Sequence, residues 1–277
     1  MPARPVFAAA PAAAIALVTV LSSCASLPQA TGHPDFTGIW SGFLTTQESP
    51  YWGTADALCF PGCPAVFHEQ LAATVATATK TVTVADLRPG AIAAAVADRI
   101  GRSTPEGLAR IQATATLGSV DLAAYCKPYG FVREALNALP LAIHAKDNRL
   151  VIQYEEFGLS RDIWMDGRKH PQNLAPTPLG HSIGRYEGSM LIVETVAIAA
   201  DQLVMLGAPN LWWGGFADGT TAVERYSIEE DPRRLVVDLT ITDPVTLTKP
   251  YLWTKTWLFT PDVELIEDSC EEVPGQL

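Results

Sequence analysis

The chain has 277 residues, with 30 Asp and Glu against 19 Lys and Arg and a formal net charge of −11. An acidic chain without a basic stripe repels phosphates, which argues against a nucleic-acid partner, while 48% hydrophobic residues suffice for one large core or two small ones. Beyond the N-terminal region no apolar run is long enough to cross a bilayer.

In chain order, residues 1–23 carry a single charge, Arg4, and an apolar run from Val6 to Leu21, the plan of a secretory signal. Leu21-Ser22-Ser23-Cys24 resembles the bacterial lipobox, and the resemblance implies cleavage before Cys24 and acylation of that cysteine. With Ala25 rather than Asp next, the sorting rule implies the outer membrane, the folded part facing the periplasm or the cell surface. Acyl chains hold such a protein almost irreversibly, since each buried methylene contributes about 0.8 kcal/mol. Cys59, Cys63, Cys126 and Cys270 then remain for an oxidising compartment, where three pairings are open. A local Cys59–Cys63 loop with a Cys126–Cys270 clasp that pins the acidic C-terminal stretch is the preferred one. The C-x3-C of Cys59 and Cys63 has no second pair nearby to complete a zinc site, so no metal and no other cofactor is expected.

Residues 24–35 read as a tether and 36–277 as one domain. Asp35 to Leu44 predicts a first strand, rich in aromatic residues. From about 64 to 125 the composition turns to Ala, Thr and Leu, with helix starts at Pro89, at Thr104-Pro105-Glu106-Gly107 and at Ser119, which predicts a helical insertion. After Leu139-Pro140 the pattern is that of a β-meander. Strands are predicted over Leu141 to Ala145, Arg149 to Phe157, Ser160 to Met165, His181 to Tyr186, Met190 to Ala197, Ala222 to Ile228, Arg234 to Thr242 and Tyr251 to Phe259. Turn residues separate several of them at Lys146-Asp147-Asn148, Asp166-Gly167, Glu187-Gly188 and Glu230-Asp231-Pro232. A set of about eight to ten antiparallel strands protects its edges best by closing, so the expected fold is mainly β: an antiparallel, lipocalin-like barrel with an α-helical insertion.

Gly38-Ile39-Trp40 resembles the G-x-W of lipocalins and other calycin barrels, which implies a tryptophan closing the barrel floor beneath a basic side chain. A longer resemblance spans most of the chain. It runs through Pro34 to Trp40, Cys126-Lys127-Pro128, Trp164-Met165-Asp166-Gly167-Arg168-Lys169-His170-Pro171, Gly180-His181-Ser182-Ile183-Gly184-Arg185-Tyr186-Glu187-Gly188, Glu224-Arg225-Tyr226, Thr242-Asp243-Pro244 and Glu264 to Glu272. On these segments the chain is identified as a member of a family of exported bacterial proteins, and the resemblance implies export without implying a reaction. Members tend to carry a histidine and a serine before the Glu-Arg pair. This chain has Asn210-Leu211-Trp212-Trp213-Gly214-Gly215-Phe216 there, so any site that used them is altered.

Gly180-His181-Ser182-Ile183-Gly184 spells the G-x-S-x-G nucleophile elbow, but a loop precedes it, a strand follows it, and no histidine lies downstream to complete a triad in α/β-hydrolase order. Ser182 is therefore not read as a nucleophile. The candidate catalytic residues are His170, His181, Glu224, Asp166 and Arg185, gathered at strand ends and turns, where a histidine beside a carboxylate can move a proton and an arginine can steady negative charge. The same residues also fit a turn, a loop anchor and a cross-strand Arg185–Glu224 pair. Trp212, Trp213 and Phe216, with Arg168 and Tyr186, are candidate ligand contacts at a barrel mouth; the aromatics also fit packing against the helical insertion. Three functions follow as expectations, the third of them an envelope scaffold with no small-molecule site. The first is an outer-membrane-tethered lipoprotein that binds a small, partly apolar molecule in the barrel. The second is an acid–base enzyme (lyase, isomerase or hydrolase) in the same pocket.

Overall fold

The computed structural model describes residues 32–41, 63–64, 97, 99–116, 126, 128, 130–136, 139–200, 203–205 and 212–266. The signal and lipobox, most of the tether, the helix starts at Pro89 and Ser119, and Cys24, Cys59 and Cys270 lie outside the described residues. The strands are β1 (Gly38–Ser41), β2 (Cys63–Pro64), β3 (Leu141–Lys146), β4 (Arg149–Tyr154), β5 (Ser160–Trp164), β6 (His181–Glu187), β7 (Met190–Ile198), β8 (Leu203–Met205), β9 (Trp212–Gly214), β10 (Thr220–Glu229), β11 (Arg234–Thr242) and β12 (Tyr251–Phe259). Among the described residues the helices α1 (Pro105–Thr116) and α2 (Phe131–Leu136) fall between β2 and β3, where residues 97 and 99–102 are helical as well.

Nine strands close a ring in the order β1-β3-β4-β5-β6-β7-β10-β11-β12, sealed by Trp40 opposite Phe259. The fold is a closed, mainly antiparallel, lipocalin-like barrel. Strand β2 extends β12, and β8–β9 form a separate pair. Eight contacts round the ring are antiparallel and one, β5–β6, is parallel. This corrects the all-antiparallel expectation, and the reason is parity. Each antiparallel contact reverses strand direction, so a ring returns to its starting direction only after an even number of reversals. A ring of nine must contain a parallel contact, and a parallel contact needs a long crossover rather than a tight turn. Residues 165–180 are that crossover.

Alternation supplies the inner face. In β11, Leu235, Val237, Leu239 and Ile241 are buried while Asp238 is exposed; in β12 the buried set is Tyr251, Trp253, Lys255 and Trp257. The buried apolar side chains form two groups. One gathers Phe36, Trp40, Leu141, Ile143, Ile152, Ile163, Leu191 and Trp257 with their neighbours, at the end where β10 finishes and β11 begins. The other gathers Phe131 and Val132 of α2 with Ile198, Phe216, Ala222, Ile241, Tyr251 and Trp253 at the opposite end. Each large side chain removed from water contributes about 1.5–3 kcal/mol. At the first end the Trp40 indole N–H donates to Phe36 O at 3.0 Å, and the Arg233 guanidinium lies 5.8 Å from the Trp40 ring centre and 5.0 Å from that of Phe259.

Helix α1 starts where Thr104-Pro105 predicts. The Thr104 hydroxyl accepts from the Gly107 N–H at 3.0 Å, with proline at the first helical position. A side chain at Gly107 would bring a Cβ within 2.2 Å of Thr246 O, so glycine lets the helix lie flat on the β11–β12 loop. That loop is organised by buried Asp243, which accepts from the N–H groups of Ala217, Val245 and Thr246.

Candidate functional site

Between the two apolar groups lies a polar layer built from inward positions of β4, β5, β10 and β12. Arg161 of β5 and Glu224 of β10, each with its side chain 2% exposed, form a two-pronged ion pair at 2.9 and 3.0 Å. Tyr226 closes the network by accepting from Arg161 at 3.0 Å and donating to Glu224 at 2.6 Å. Burial opposes the charge on Arg161, but Glu224 outweighs it and holds the guanidinium protonated; burial, reinforced by Glu224, keeps the Tyr226 and Tyr154 phenols neutral, well above their ordinary values. Paired and hydrogen-bonded in this way, two charges can persist away from water.

The network borders a small cavity of about 10 Å³, lined by Ala135 of α2, apolar residues such as Leu141 and Ile152, and the polar side chains of Tyr154, Glu224, Tyr226, Lys255 and Trp257. That is room for about one water molecule. The Trp257 indole N–H and the Arg161 Nε–H are buried without a hydrogen-bond partner. Lys255 is buried on the same wall, its ammonium 5.5 Å from the Trp257 ring centre. From α2, buried Glu134 comes close enough to Tyr154 to act on its hydroxyl.

The candidate residues from the sequence fall elsewhere, apart from Glu224. His170 and His181 do meet, Nδ1 to Nδ1 at 2.8 Å with rings at 73°. Their position is the outer wall. Gly184 faces the core side chains of Ile163 and Leu191, so alternation puts His181, Ile183 and Arg185 on the opposite face from Ser182 and Gly184. Burial and the neighbouring His181 lower the His170 value, which Glu194 partly restores; burial and Arg168 lower that of His181. Arg185 pairs with Glu187 and Glu194, both partners on the exposed face, and Glu224 pairs instead with Arg161 inside, so no Arg185–Glu224 pair forms. Asp166 bonds Arg168, which holds its carboxyl down to about 2, and Arg168 covers the Trp164 ring at 3.7 Å.

Ser182 is buried, its hydroxyl 2.8 Å from that of Thr195 across the β6–β7 pair, and it starts a hairpin rather than an elbow. Tyr186 stacks on His33 at 4.1 Å near the β6–β7 turn. Phe216 is buried in the α2-containing apolar group beneath Arg99, 4.8 Å away, rather than lying over an open mouth. Trp212 and Trp213 form β9, their side chains outside the described part. Among the described residues no group of three or more His, Cys, Asp or Glu could hold a metal ion.

Arg161 and Lys255 are not among the residues expected from the sequence, although the pleat carries a signal for both. Tyr251, Trp253, Lys255 and Trp257 recur every second residue, as do Arg161 and Ile163, so a charged side chain on an otherwise apolar stripe marks the interior. The chain matches no protein-family model, no curated protein and no solved structure.

Proposed function

We propose that the protein is an exported, lipid-anchored barrel that holds a small, partly apolar molecule in its lumen, with an acceptor group of that molecule against the Lys255 and Trp257 wall. The observation that carries this reading is the polar layer itself. Buried donors without partners are rare in native proteins, and here the Trp257 N–H is one such donor in the wall of a cavity otherwise lined mainly by apolar side chains. Apolar walls with a few polar groups are the composition of ligand sites. An occupant larger than a water displaces Ala135 and with it α2, so α2 acts as the plug of the lumen. Export to an oxidising compartment, a Cys126–Cys270 disulfide and acylation of Cys24 complete the reading.

The test is direct. Organic extraction of the natively exported protein should release a stoichiometric small molecule whose rebinding changes tryptophan fluorescence and is weakened at least tenfold by Lys255→Met. A protein that carries nothing, and whose fluorescence no amphiphile alters, sinks the lumen reading. Loss of the membrane fraction in Cys24→Ser tests the anchor.

The alternative, acid–base catalysis by His170 and His181, is favoured by their 2.8 Å contact and lowered values. Its site is then the outer wall, with Glu194 rather than Glu224 as the nearby carboxylate. Ligand affinity unchanged by His181→Ala separates the two readings.

A further inference from the structure

Because β5 and β6 are parallel, residues 165–180 form a strap that runs back along the barrel. Its first end is tied by the Met165 N–H donating to Asn148 O at 2.8 Å. At its far end the Thr177 N–H donates to Ala197 O at 3.0 Å, and Pro178 O accepts from the Phe131 N–H at 2.8 Å. That last bond joins the strap to α2, whose Ala135 walls the lumen cavity. Between the ends, the strap is tied to the barrel wall by His170 bonding His181 of β6.

We propose that the His170–His181 contact is a proton-operated latch: it holds the strap, and through Pro178 the plug α2, when at most one ring is charged, and releases them when both are. An Nδ1···Nδ1 bond of 2.8 Å uses one proton, donated by one ring and accepted by the other. A first added proton leaves that bond in place, as an imidazolium donating to an imidazole. A second sets N–H against N–H and charge against charge, so the pair titrates as a unit and the bond is lost at the second step. The surroundings resist the second proton. His170 Nε2 is buried without a hydrogen-bond partner, so a charged ring there holds a donor with no acceptor. On the strap, Arg168 adds positive charge beside His181, and its own counter-ion Asp166 is already bonded to it. From β7, Glu194 favours a charged His170, but Arg185 of β6 engages that carboxylate together with Glu187. Both histidines are thus held neutral to lower pH than free histidine, which places release below about pH 6.5. Whether release admits a ligand rests on the lumen reading; the latch does not.

Hydrogen exchange of the full-length exported protein between pH 7.5 and 4.5, corrected for intrinsic exchange rates, tests it. Protection of amides in the strap and at Phe131 should fall at least tenfold on acidification, while β10 and β11 hold, and His170→Gln should flatten that response. Strap protection that ignores pH, or a fall that survives in His170→Gln, overturns the latch. A strap that opens while Phe131 stays protected overturns its coupling to α2. If β10 and β11 show that His170→Gln has not folded, His181→Gln takes its place with the same two readouts.

Discussion

The inner and outer faces of one barrel wall use the same residue types to different ends. Gly184 and Arg185 are neighbours on β6, one turned to the core and the other to solvent. Inside, Arg161 and Glu224 are 2% exposed and satisfy each other through two bonds; outside, Arg185 and Glu187 are 52% and 51% exposed and share their pair with Glu194. An ion pair is defined by its solvent. In the lumen the two side chains satisfy each other's hydrogen bonds, whereas on the outer face each would be hydrated alone.

Removing one inner partner leaves the other buried without its counter-ion. Glu224→Leu strands Arg161 and should lower the unfolding free energy by about 3–5 kcal/mol in urea denaturation. Adding Arg161→Leu sharpens the contrast, since the double variant has no stranded charge and should recover most of that loss. Next comes shape: Gly184→Ala puts a Cβ 2.5 Å from Met165 Sδ and 2.8 Å from Ile163 Cγ2, and should cost about 1–3 kcal/mol by the same assay. A smaller effect comes from the histidines. Their folded values lie below the unfolded value near 6.5, so the unfolded chain takes up protons first as pH falls. Their contribution is complete above about pH 6.5 and declines as pH drops through the folded values. Unfolding free energies measured from pH 7.5 to 5 should show that slope, and His170→Gln should reduce it. Smallest of all, Arg185→Ala should change stability by less than about 1 kcal/mol, and by less still in high salt.

How much was legible follows from which signal each feature leaves. The barrel was legible because the pleat writes itself into β10, β11 and β12, and Arg234 to Thr242 and Tyr251 to Phe259 are found at those bounds. The turns at Asp147, Gly188 and Asp231 were legible too, since each carries the positive φ that Asp and Gly tolerate. The parallel β5–β6 contact was not, because a loop has the same composition whichever way it carries the chain; only closure of an odd ring requires it. Helix α2, from Phe131 to Leu136, is too short for a helical period to register. Within the candidate site, reading chemistry from turns finds His170 and His181, which do touch. Reading it from the pleat finds Arg161 and Lys255, whose single charges interrupt apolar stripes.

Sealing the ring with Trp40 against Phe259 also sets when the molecule can fold. The first and last strands of the ring are partners, so no barrel exists until the chain through β12 is present, and the pairing closes nearly the whole length of the domain as a loop. Contacts so distant in sequence form slowly. Until they do, β1 exposes an unpaired edge, as does the part of β12 that β2 does not cover, the kind that joins one chain to another.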